Sequence, residues 1–301
     1  MNSLIFSRIT RATWIKSFCF LASTFILQPA LATIAPQSVG YQVANNVLLV
    51  TVDTQQLASI KGLEFKDYSL QVVSDNQLEP IPFQFDERNV QESVYVAGGG
   101  IAISGEEGIF DAEDELVFML RDTGPALSQD AKAATQADIV AELKITHGSY
   151  TGFAYVVKGS DARSSKDYAN FDVEKSLFIT DHWSMQASPD NLLVWTDFFY
   201  ESAPANVTML DVMKLRVIAK VFFTITLTND NVVAKFKAVK NGPVRDIVQL
   251  KADIIVAGIP LINLDVGLEV TPHYLGIPAH AHIPLAAAAI KSPKIMVSLD
   301  F

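Results

Sequence analysis

The chain has a single cysteine in 301 residues, Cys19, and it falls in a segment expected to be removed. A structural disulfide, a thiolate-held metal and a cysteine nucleophile are therefore excluded from the mature protein. Basic residues are scarce as well: 23 Lys and Arg stand against 33 Asp and Glu, a net charge of −10. Such a chain repels phosphate backbones, so nucleic acid is not an expected partner. No Gly-x-Ser-x-Gly string occurs, because Ile103-Ser104-Gly105 lacks the first glycine. No Gly-Lys-Ser/Thr phosphate loop occurs either; Gly98-Gly99-Gly100 runs into Ile101-Ala102 and reads as a hairpin turn. The apolar run Phe18–Leu27 falls short of the roughly 20 residues that span a bilayer.

What the start of the chain does hold is an export signal. Arg8, Arg11 and Lys16 make a positive region, the apolar run follows, Pro29 ends it, and Ala30-Leu31-Ala32 offers small residues for cleavage. The expectation is a signal peptide over 1–32, cut after Ala32, and a secreted or periplasmic protein with no transmembrane helix in its mature part. Losing three basic and no acidic residues takes the net charge from −10 to −13. The missing thiols suit a bacterial periplasm or exterior.

The rest is dominated by short apolar or alternating runs rich in Val, Ile, Thr, Phe and Tyr, as in residues 46–52, 68–73, 139–145, 153–157, 215–227, 232–239 and 244–256. Turn signals such as Asn229-Asp230-Asn231 and Asn241-Gly242-Pro243 separate them. Only Leu127–Ala137 has helix-forming composition. Many strands with so little helix between them predict an all-β chain of antiparallel β-sandwiches, arranged as two packed β blocks. The blocks are expected at 33–126 and 138–301, with 127–137 as linker. Ile295, Val297, Leu299 and Phe301 alternate with polar or smaller residues. A half-buried strand does this, and so does the closing strand of an outer-membrane barrel.

Six carboxylates crowd positions 106–115: Glu106, Glu107, Asp111, Glu113, Asp114 and Glu115. Three readings fit them. They form a solvated acidic turn helped by Arg88 or Arg121; or Asp111, Glu113 and Asp114 ligate calcium; or Asp86, Asp114 and Glu115 supply the acid and base of glycoside cleavage, for instance as the pair Asp86 and Glu115. His273, His280 and His282 offer a further metal set, although three prolines break the segment and no carboxylate is near to orient the rings. Trp183, Trp195, Phe198, Phe199 and Tyr200 are clustered. They are either core or, for Trp183, Trp195, Phe199 and Tyr200, a surface that stacks on sugar rings.

Pro82-Phe83-Gln84, Asp86-Glu87, Asp114-Glu115-Leu116-Val117-Phe118-Met119 and Asp122-x-Gly124 together resemble a family of secreted prokaryotic proteins with no settled activity. Val239-Lys240-Asn241-Gly242-Pro243-Val244-Arg245 is similar to a strand start of galactose-mutarotase-like β-sandwiches. The resemblance implies that 138–301 belongs to such a sandwich and has a carbohydrate link, and it transfers no catalytic residue. The sequence thus supports a binding or envelope-structural protein with a glycan or cell-envelope polymer as partner. The alternatives are a carbohydrate-active lyase or hydrolase and an outer-membrane-associated β-protein.

Overall fold

A computed structural model of the chain describes residues 4–6, 47–201, 204, 207–220, 224–256, 258–277, 279–280 and 291–300. The expected cleavage point, His282 and Phe301 lie outside the described residues. The fold is all-β and mostly antiparallel, as the alternation predicts. The α-helix Gln129–Ala134 is capped by the Ser128 hydroxyl. No described helix is long and apolar enough to cross a membrane.

Five sheets are described. The first carries, in spatial order, Leu4–Phe6, Asp138–His147, Tyr150–Lys158, Tyr68–Ser74 and Gln77–Pro80. The second carries Leu49–Asp53, Glu115–Met119 and Phe83–Asp86. They pack face to face around one core that includes Tyr68, Leu70, Phe83, Phe110, Leu116, Phe118, Leu143 and Val156. Pro80 fits because its strand is a sheet edge, where the missing N–H interrupts no ladder. Beyond Pro82 the chain passes to the second sheet.

This arrangement moves the expected block boundary. Asp138–Lys158 was assigned to the second block because 127–137 is polar and Ala-rich. Instead its strands pair with Tyr68–Ser74 and fill the first core. The helix lies inside the first unit, and the second unit follows Lys158.

The second unit stacks a sheet of Asn191–Tyr200, Trp183–Ser188, Leu177–Thr180 and Ala169–Asp172 on a sheet built from Val232–Lys240, Asp246–Val256 and Ile259–Val270. Their shared core includes Phe171, Phe178, Trp183, Met185, Trp195, Leu250, Leu268 and Val270. The short strands Leu275–Gly276 and Ala279–His280 border the latter sheet, and Val212–Lys220 lies between Thr224–Leu227 and Lys291–Asp300 in a fifth.

The strand Glu115–Met119 joins the units. All five of its residues are buried, because its two faces meet different cores. Leu116 and Phe118 point into the first core. Val117 and Met119 pack with Tyr168 and Val244 of the second unit. Period-two alternation therefore turns Glu115 towards the second unit as well.

Candidate functional site

Two features stand out, an ionic clasp where the units meet and an aromatic cleft in the second unit. The clasp grows out of strand register. In Phe83–Asp86, Phe83 belongs to the first core, so Gln84 and Asp86 face the other way. Asp86 and Glu115 are direct cross-strand partners. Like charges so placed are destabilising, and here both are buried. Arg245 resolves the conflict from the second unit.

Arg245 is 4% exposed. Its Nε donates to Asp86 Oδ2 at 2.8 Å, and its remaining nitrogens pair with Asp86, Glu115 and Glu269. Lys240 Nζ lies 2.9 Å from Asp86 Oδ1 and also donates to the Phe85 carbonyl at 2.8 Å. Arg88 pairs with Glu115 at 3.0 Å. Three cations thus meet three carboxylates. Gln84 completes the set: its amide nitrogen donates to both Asp86 oxygens at 2.9 and 3.0 Å, and its carbonyl accepts the Val244 and Arg245 backbone N–H groups. A Cβ on Gly242 would fall 2.2 Å from the Gln84 side chain, so glycine is the residue that lets this turn approach.

Burial alone would push the Asp86 carboxyl up, but Arg245 and Lys240 outweigh it and hold it at about 2. Arg245 is likewise opposed by burial and held charged by Asp86, Glu115 and Glu269. Each oxygen of Asp86 and Glu115 thus faces a cation or a donor.

The acidic stretch behaves as a turn. Asp114 accepts the backbone N–H of Arg88 with one oxygen and that of Asp111 with the other, each at 3.0 Å. Asp111 Oδ2 accepts from Glu106 N at 3.0 Å, while its Oδ1 is buried without a partner. Glu113 is exposed. Burial raises the Asp114 carboxyl to about 6. Among the described residues no group of three or more His, Cys, Asp or Glu side chains stands where it could hold a metal ion.

The aromatic residues form the second feature. Trp183, Met185, Trp195, Phe198, Tyr200 and Leu210 line a cleft of about 540 Å³ together with Val47 and Pro272-His273-Tyr274-Leu275. The Trp183 ring is fixed by its Nε1 donating to the Thr271 carbonyl at 3.0 Å and by stacking on Phe198 at 5.9 Å between centroids. Trp195 Nε1 is buried with no hydrogen-bond partner. Of the expected binding residues, Trp183, Trp195 and Tyr200 converge here. Phe199 does not line the cleft: it pairs with Ser184, whereas Phe198 and Tyr200 pair with Met185 and Trp183. Phe198 is the cleft residue instead: a register shift opposite Gln186 and Ala187 brings Trp195, Phe198 and Tyr200 to one side, whereas simple alternation from Trp195 would have selected Phe199.

Tyr274 links the two features. Its ring lines the cleft and its hydroxyl donates to Glu269 of the clasp at 2.8 Å. His273 also borders the cleft. Gln84, Lys240, Arg245 and Glu269 were not legible as a group, because they come together only through strand pairing between distant parts of the chain. No protein-family model, curated protein or solved structure matches the chain.

Proposed function

We propose that this chain is a non-catalytic ligand-binding protein that works outside the cytoplasm and holds its ligand in the cleft beside Trp183 and Trp195. One observation carries the reading. The cleft is a pocket of ligand size, mostly apolar with a few polar edges, whereas the three carboxylates suggested for catalysis are bound to Arg245, Arg88, Lys240 and backbone N–H groups. The export signal at residues 1–32 supports the location. A glycan draws support from the rim groups Tyr200, His273 and Tyr274. No charged or amide side chain that would hold several sugar hydroxyls is among the lining residues described.

The test uses the processed chain. Of the three tryptophans only Trp14 precedes Ala32, so all tryptophan emission of the mature protein arises in the cleft. A panel of oligosaccharides and apolar small molecules is titrated while emission is followed, alongside a reducing-sugar assay. Saturable emission changes without turnover are expected. Sugar release that disappears in a folded Glu115→Gln variant would establish the enzyme reading instead.

A further inference from the structure

We infer that the occupant of this cleft is the hydrocarbon chain of a single neutral lipid molecule; the inference rests on the binding role proposed above. The floor comes first. Trp183 and Trp195 are only 6% and 8% exposed, and Phe198 stacks on Trp183. They form an apolar wall, not the open aromatic faces on which sugar rings lie. Met185, Leu210 and Leu275 extend that wall.

Charge comes next. None of the lining residues described is Asp, Glu, Lys or Arg. An ionised group drawn into the floor would lose its water with no opposite charge to replace it, so the buried part of the ligand is neutral.

The mouth continues the apolar surface. Tyr200 and Tyr274, both on the lining, are 42% and 39% exposed. Val207 and Met209, on the segment that runs into Leu210, are exposed, as is Ile277 just beyond Leu275. Met209 is tied to the lining strand by its N–H, which donates to the Phe198 carbonyl at 2.7 Å. Exposed apolar side chains on the lining, and next to it in the chain, mark a site for an apolar partner. The net charge of −10 repels anionic bilayer surfaces, which favours one lipid molecule over the membrane itself.

Four probes are titrated into the mature protein: 1-decanol, sodium decanoate, cellohexaose and phosphatidylcholine vesicles. We expect 1-decanol to saturate at one molecule per chain and to shift tryptophan emission, with decanoate roughly tenfold weaker because its carboxylate resists burial. Leu275→Phe narrows the cleft and should weaken 1-decanol binding about tenfold. Tyr200→Lys, at the exposed mouth, should bring decanoate to within about threefold of 1-decanol, since the added ammonium meets the carboxylate. Circular dichroism confirms that each variant is folded. If cellohexaose saturates the emission change and 1-decanol does not, the cleft remains the binding site and the lipid assignment falls. If only vesicles bind, the single-molecule assignment falls. If no probe moves tryptophan emission in folded protein, both the assignment and the binding role of the cleft fall.

Discussion

The clasp around Arg245 and the cleft beside Trp195 lie on either side of Tyr274, yet they are built on opposite terms. In the clasp every charge has met its partner: three cations face three carboxylates, and a glutamine donates to both oxygens of Asp86. In the cleft large apolar side chains surround about 540 Å³, and the indole N–H of Trp195 has no acceptor. A group with all its partners present is there to hold the fold. A surface that is apolar, concave and partly unpartnered is there to receive something. On the proposed binding role, the conspicuous acidic run at 106–115 belongs to architecture and the less conspicuous aromatics to the site.

That contrast predicts where substitutions act. The largest effect is expected for Arg245→Met, which leaves Asp86, Glu115 and Glu269 without their shared partner. Breaking a buried ion pair from one side costs about 3–5 kcal/mol, so urea melts should show a loss of that order while the emission of any folded protein stays close to the parent's. A parent-like melting curve would remove the clasp from the account.

The next effect is a pH dependence. The Asp246 carboxyl is fully buried and accepts the Gly242 and Phe171 backbone N–H groups at 3.0 and 2.7 Å. Burial raises it to about 7, and Asp114 is raised to about 6 for the same reason. Both are easier to ionise in the unfolded chain, near the ordinary 3.8, so stability falls as pH climbs from about 4 to 7. Asp86 acts oppositely: held at about 2, it contributes stability above about 4 that is lost as pH falls through 2. Thermal melts should peak at about pH 3.5–4 and fall steadily towards neutrality. A maximum at pH 7–8 would contradict these directions.

A smaller loss is expected from Gly242→Ala, whose new methyl group meets the Gln84 amide. Overpacking of this kind costs roughly 1–3 kcal/mol, read from denaturant midpoints. The smallest belongs to Tyr200→Ala on the cleft rim. Its stability cost should stay near or below about 1 kcal/mol, while ligand titrations followed by tryptophan emission change visibly. If Tyr200→Ala destabilised the protein as much as Arg245→Met, the separation of scaffold from site would fail.

Much of this was readable from the chain alone. Alternation in Phe83-Gln84-Phe85-Asp86 and β-branched runs such as Val244–Val256 announce strands, because a half-buried sheet imposes a period of two. The same rule fails between Trp195 and Phe198, where a register shift interrupts the period and puts Phe198 rather than Phe199 beside Trp195. The boundary near 127–137 misled because local composition describes the helix Gln129–Ala134 and says nothing of Tyr68 pairing with Lys158. Arg245 was visible only within a resemblance to a Gly-Pro-Val-Arg turn, and nothing local connects it to Asp86. Long-range pairing fixed both, and no periodicity encodes it.

The spacing along the chain has a consequence for how the protein comes to exist. Arg245 follows Asp86 by 159 residues and Glu115 by 130. A chain emerging from its amino end delivers both acids, and the sheet that sets them side by side, well before their counter-charge arrives. Until then the pair must stay hydrated or take up a proton, so the face carrying Gln84, Asp86 and Glu115 cannot close early. Closing that face therefore depends on contacts of long sequence separation, which slow folding.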